Sequence, residues 1–171
     1  MMEISLQMSS VAPPKSRARE WVAALALLSC VVVALMATMW PTPLDQGYAA
    51  SIQKLLAVIH RNGIPEWFGY SKLEFSANVL MFVPIGFLLT MLVSARAWWL
   101  GLLLGPALSL GIEFTQAAFL SARLATATDV VSNSIGAIVG IFLAVVLRAV
   151  VHARDEKLIA RAIWLERAGR P

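Results

Sequence analysis

A chain of 171 residues with 59% hydrophobic and only 14% charged side chains, at a mean hydropathy of +0.75, has too little polar surface to solvate a compact globule. Lipid must take the place of that surface, and the length leaves room for one helical bundle. The net charge of +4 and the pI near 9.7 do not point to nucleic acid: no basic run is interleaved with aromatics, and loop charges obeying membrane topology account for the excess.

Residues 1–20 carry Lys15, Arg17 and Arg19 together with Pro13 and Pro14 and show no apolar periodicity, so they read as a frayed cytoplasmic tail. From Trp21 to Leu44 no charged side chain appears. About 20 such residues, at roughly 1.5 Å each, cover the hydrocarbon core of about 30 Å. A first span is therefore expected over about 21–40, ended by Pro41 and Pro43, which supply no backbone donor and push their predecessors out of helical geometry. A cleaved leader is the weaker reading, since the apolar run is long and Thr38, Met39 and Trp40 offer no small-x-small cleavage site. The single cysteine, Cys30, falls inside this span as lipid-facing or packed filler.

The segment 41–74 carries charges that cancel and reads as an outer loop. Within it Ile52, Leu55, Leu56 and Ile59 recur at helical spacing, which predicts a short amphipathic helix along the interface. Trp67, Phe68 and Tyr70 form an aromatic belt before the second span, about 75–95. Pro84 lies inside that span and should leave the carbonyl of Leu80 without its usual partner, opening or kinking the helix. Arg96 marks a short turn. Trp98 and Trp99 then anchor a third span over about 97–120, a loop carrying Arg123 follows, and a fourth span covers about 128–151. The expected fold is all-α: a membrane-embedded bundle of four transmembrane helices over 21–151, one interfacial helix between the first two, and a separate basic amphipathic tail over 152–171.

Orientation follows from lysine and arginine. Ten of the fourteen lie before the first span, in the Arg96 turn or from Arg148 onward; Lys54, Arg61, Lys72 and Arg123 occupy the other side. By the positive-inside rule both termini are cytoplasmic, as in a multi-pass protein of a bacterial inner membrane.

Charged and polar side chains inside spans are the informative exceptions, because one charge at the bilayer centre costs about 2.5–3.5 kcal/mol on insertion scales. Glu113 lies about seven residues from the outer end of the third span, with Gln116 on the same face. Ser109, Gly105 and Gly101 precede it at four-residue steps, a ridge of small residues that admits a neighbouring backbone. In the fourth span Asp129 and Asn133 sit one turn apart above a second ridge, Ser132, Gly136, Gly140 and Ala144, which predicts close packing of the third and fourth spans. Asn78 lies at similar depth in the second span. Asn78, Glu113, Gln116, Arg123, Asp129 and Asn133 are thus expected at one outward-facing level. Each also has a plainer reading: the asparagines as interhelical hydrogen-bond donors, Asp129 as a charge favourable to a helix N-terminus, and Glu113 with Arg123 as a salt bridge. No metal set is supported, since His60 lies outside the bundle and His152 at its cytoplasmic end, and no cofactor loop is present.

The stretches NVLMFVPIGFLL (78–89), EFTQ (113–116) and RLATATDVVSNSIGAIVG (123–140), in this order, resemble the VanZ-like family of bacterial membrane proteins. The resemblance implies a four-helix membrane domain. The family is named for an accessory protein of glycopeptide resistance linked to teicoplanin, a phenotype that the resemblance does not extend to this chain. Thr126 stands where many relatives carry an acidic residue or serine, so no role is assigned to it.

Two functions from different classes fit these residues. The leading one is a binding or accessory protein of the cell envelope, in which Arg123 engages an anionic lipid or lipid-linked cell-wall-precursor headgroup and Asn78, Gln116 and Asn133 supply hydrogen bonds. The competing one is an enzyme acting on a lipid-linked substrate with Glu113 as general base. No histidine, serine–base pair or metal set completes a catalytic constellation, which weighs against it. A purely structural assembly role is the third reading. No cofactor and no nucleic-acid partner is expected, and association into a homo-oligomer stays open.

Overall fold

The computed structural model describes residues 17–39, 47–119 and 126–169. The N-terminal tail through residue 16, the prolines 41 and 43, and Arg123 lie outside the described residues. Within them the chain forms five α-helices and no strand: α1 (Arg17–Met39), α2 (Ala49–Arg61), α3 (Tyr70–Leu92), α4 (Leu100–Phe119) and α5 (Ala127–Ala168), with one turn of 3₁₀ helix at Ala95–Ala97. Helices α1, α3, α4 and α5 are long and apolar enough to cross a membrane. Large apolar side chains such as Leu80, Phe114, Phe119 and Phe142 point outward along them. So much exposed apolar surface is what lipid, not water, solvates.

α2 carries the predicted interfacial stripe: Ile52, Leu56 and Ile59 are half-buried, while Leu55 is exposed. Its end is a Schellman motif. The N–H of Gly63 donates to the carbonyl of His60 (3.1 Å) and that of Ile64 to Ile59 (3.3 Å). Gly63 turns the chain at φ 94°, a conformation that side-chain-bearing residues rarely adopt.

The spans differ from the sequence expectation mainly at their ends. α1 begins four residues earlier than expected, at Arg17, and α3 five residues earlier, at Tyr70, with Lys72 and Glu74 inside its first turns. Charged residues end a hydrophobic run without ending a helix, and long ones reach back to the interface. α4 covers Leu100–Phe119 instead of 97–120, because Ala95–Ala97 is taken up by the 3₁₀ turn. Pro84 does not interrupt α3, and α4 likewise runs through Pro106. The expected opening of α3 is absent as a break in the helix; the segment around Pro84 is backed on one side by α5. The largest difference is at the C-terminus. α5 is one helix of 42 residues, not a span and a separate tail. No Gly or Pro lies between Val151 and Ala168, and Ala, Leu, Arg, Lys and Glu there are strong helix formers, so nothing stops the helix at the membrane boundary.

Packing centres on α3. Phe82 and Ile85 of α3, Ala34 of α1 and Ile112 of α4 form a buried core, with Cys30, Leu27 and Val31 of α1 packed against it. The cysteine is therefore packed filler. α3 and α5 run parallel: Gly136 meets Val79, Gly140 meets Val83, and Arg148 reaches Met91, each pair advancing in step. α4 runs antiparallel to both, with Gly101 against Ile141, Gly105 against Ala137 and Ser109 against Asn133.

The third and fourth spans pack closely, as expected, but their two small-residue ridges do not face each other. α5 has two adjacent contact lines. Ser132, Gly136, Gly140 and Ala144 lie along the side of α3, while Asn133, Ala137 and Ile141 receive the Gly101–Gly105–Ser109 ridge of α4. A Cβ at Gly136 would run into the carbonyl of Val79, and one at Gly140 into that of Val83. Both positions require glycine because backbone lies against backbone.

At the opposite end of the bundle from Thr126, Arg148 ties α5 to the last turn of α3. Its Nη2 donates to the carbonyls of Met91 (2.9 Å) and Val93 (2.7 Å), groups left without an intrahelical partner where α3 ends. Arg148→Met keeps much of the side chain's length and loses both donors. It should lower stability by about 1–3 kcal/mol, read as an earlier unfolding midpoint in detergent; an unchanged midpoint would show the clamp to be dispensable.

Candidate functional site

The N-terminal ends of α3 and α5 and the C-terminal end of α4 are joined by a hydrogen-bond network whose hub is Thr126. As N-cap of α5, Thr126 has extended backbone (φ −120°, ψ 139°), and its Oγ1 accepts from the N–H of Asp129 (3.2 Å) while donating to Asp129 Oδ2 (2.8 Å). In a capping box the acid three residues on would take the N-cap N–H. Here that N–H donates to Glu113 Oε2 of α4 (3.0 Å). The other oxygen of Asp129, Oδ1, accepts from Asn78 Nδ2 of α3 (2.9 Å). Two carboxylates thus converge on the N-terminus of a long helix, where the partial positive charge of unpaired N–H groups favours anions.

Each charge has a local reason for its position. The face of α4 formed by Gly101, Gly105, Ser109 and Glu113 turns toward α5, so Glu113 is buried with 7% of its surface exposed. Asp129 sits in the first turn of α5, and its main-chain carbonyl accepts from Ser132 Oγ (3.0 Å).

Two further pairs lie beside the network. Gln116, 4% exposed, donates from Nε2 to the carbonyl of Thr38 at the end of α1 (2.7 Å). Asn133, 2% exposed, donates from Nδ2 to Ser109 Oγ (2.9 Å), and its Oδ1 is buried with no partner among the described residues. Turning the amide over would exchange the two atoms and leave the nitrogen without a partner instead.

Of the six residues expected at one level, Asn78, Glu113 and Asp129 share the connected network. Gln116 instead faces α1, because a three-residue step from Glu113 carries it around the helix to the flank that α1 covers. Asn133 bonds to Ser109 one turn deeper, and Arg123 lies outside the described residues. Sequence reasoning passed over Thr126, although Thr126-x-x-Asp129 is a capping pattern readable without a structure. It also placed Ser109 only in a packing ridge and counted Arg148 only as a topological charge. The carbonyl of Thr38 had a weaker signal, being one of the last four of a helix and so in need of a donor from outside it.

This geometry coincides with the sequence relationships of the chain. The profile of the VanZ/LLP1 family matches residues 24–148, from the first turns of α1 to the Arg148 clamp, and so takes in every hydrogen bond of the Thr126 network. No curated protein and no solved structure matches the chain. With well over half of its length matched by that profile, the chain belongs to the VanZ/LLP1 family of membrane proteins.

Proposed function

We propose that this protein is an accessory or binding protein of the bacterial cell envelope, inserted in the cytoplasmic membrane with both termini inside, and that its outer polar site receives the headgroup of an anionic lipid or lipid-linked cell-wall precursor. The observation that carries the reading is the amide of Asn133. It is 2% exposed and its Oδ1 has no partner among the described residues, one turn below Asp129 and beside Ser109. A buried acceptor left unpaired costs about 1–3 kcal/mol, a cost that a hydroxyl or amine donor from a headgroup would offset. Arg123 supplies the positive charge in this proposal. Three peptide units separate it from Thr126, a reach of at most about 11 Å, and Thr126 is itself fastened to Glu113. A guanidinium pairs with phosphate in fork geometry, and more strongly where water is excluded.

The expected result is that Arg123→Ala reduces the anionic lipid retained by the purified protein at least several-fold, measured by mass spectrometry of extracted lipid, while folding is unchanged. Retention equal to the parent would remove the proposed ligand.

A structural role for the carboxylates is favoured by a separate observation: Glu113 and Asp129 both engage Thr126, and together they fix the start of α5. In this view they shape the site without touching a ligand, and Glu113→Gln, which keeps an acceptor for the Thr126 N–H, leaves lipid retention intact.

A further inference from the structure

The family match stops at Arg148, yet α5 continues to Ala168. At about 1.5 Å per residue the whole helix is roughly 63 Å long, about twice the hydrocarbon thickness. Arg148 is bonded to the carbonyls of Met91 and Val93 at the end of α3, which puts it level with the end of that span. The α3–α4 turn with Arg96, Trp98 and Trp99 follows immediately, and such residues mark a membrane interface. Arg154 stands about 9 Å further along α5 than Arg148, and Arg161 about 20 Å.

From Arg154 to Arg161 the charges of this extension are sorted by face; Arg167, nearer the end, falls on the other side. Arg154, Lys157 and Arg161 follow the spacing i, i+3, i+7 and fall within about 60° of one another around the helix axis. Asp155, Glu156 and Glu166 lie on the opposite side, where Glu156 pairs with His152 (3.2 Å). Among the described residues the three cations make no ion pair. They share one exposed side of the helix with Val150, Ala153 and Leu158. This side therefore starts with Val150, about 3 Å beyond Arg148, and continues with Arg154 and Lys157 about 9 and 14 Å beyond it, whose long side chains lean back along the helix toward the headgroup region.

We infer that this stripe is a contact for anionic phospholipid: the glycerol region of the lipid lies against Val150, and phosphate groups engage the back-reaching side chains of Arg154 and Lys157, with Arg161 adding long-range attraction. Charge complementarity and the position at the bilayer edge choose the occupant. The stripe starts within about 3 Å of the end of the span, where lipid headgroups and not soluble proteins are the nearest partners, and basic residues next to a span are attracted to a surface of anionic lipid. Under the orientation proposed above the leaflet is the cytoplasmic one. The inference itself does not depend on orientation or on the outer site.

The test uses the full-length protein purified in detergent and offered an equimolar mixture of phosphatidylcholine and phosphatidylglycerol, with bound lipids counted by native mass spectrometry. The triple variant R154Q/K157Q/R161Q should retain several-fold less phosphatidylglycerol than the parent. D155N/E156Q, on the other face, should retain as much as the parent or more. The triple variant should show the same loss when placed in an Arg123→Ala background, which separates this contact from the outer site. Circular dichroism checks that the extension stays helical. Unchanged phosphatidylglycerol retention in the triple variant overturns the proposal, and so does a variant whose defect is confined to binding an acidic polypeptide such as poly-glutamate.

Discussion

Gly140→Leu is expected to prevent α3 and α5 from pairing, leaving a protein that inserts into the membrane but does not reach its compact form. Even the first carbon of a side chain at this position would occupy the space of the Val83 carbonyl, and Phe87 N lies 2.7 Å from it. Neither is the far end of a flexible side chain, so nothing can turn aside; the helices themselves must separate. Gly140→Ala is the graded version and should cost about 1–3 kcal/mol, the usual range for overpacking a core. Gly111→Ala serves as the control, since a Cβ there meets nothing within 4 Å. That change should be neutral or stabilising by up to about 1 kcal/mol, because alanine is the better helix former. Unfolding in mixed micelles with increasing denaturing detergent measures all three. If Gly140→Ala were as benign as Gly111→Ala, the close contact between α3 and α5 would be disproved.

Glu113→Ala should be the most damaging single change at the outer site, at about 2–3 kcal/mol, because it strips the Thr126 N–H of its acceptor and exposes a buried space. Glu113→Gln should cost about 1 kcal/mol or less, since an amide oxygen can take the same N–H. The companion measurement is a double-mutant cycle between Asn78→Ala and Asp129→Ala, whose direct bond of 2.9 Å predicts a coupling of about 1 kcal/mol. Additive effects of those two substitutions would mean the bond contributes nothing to the folded protein. Equal losses for Glu113→Ala and Glu113→Gln would show that the charge, and not the acceptor, holds the start of α5.

The number of spans and the interfacial helix were legible because a bilayer imposes a length and an apolar content that few other structures require. Tyr70, Lys72 and Glu74 show where that legibility ends: hydropathy marks what lies in hydrocarbon, whereas a helix extends to wherever its backbone can still be capped. The same distinction hid the continuity of α5, since the arginines after Val151 end the apolar run but are good helix residues. Glu113 and Asp129 could be singled out for their cost inside a span, but their partners could not be deduced from spacing alone. A ridge of small residues announces that a helix will approach and is silent about which one. Gly136 and Gly140 took α3, not α4, because α5 presents two contact lines only one residue apart, and a choice between them depends on the three-dimensional arrangement of all four spans. Thr126 is the opposite case: its capping pattern was present in the sequence and was outweighed by a difference from relatives.

The parallel course of α3 and α5 has a consequence for biogenesis. A nascent chain delivers α3 to the bilayer first, with the carbonyl row of Val79 and Val83 facing acyl chains, and its mate is the last span to be synthesised. The pair cannot close during translation of the earlier helices. Assembly of this pair is therefore a lateral, post-insertional event that waits for the last quarter of the 171 residues, and a ribosome that stalls before α5 leaves α3 without its partner.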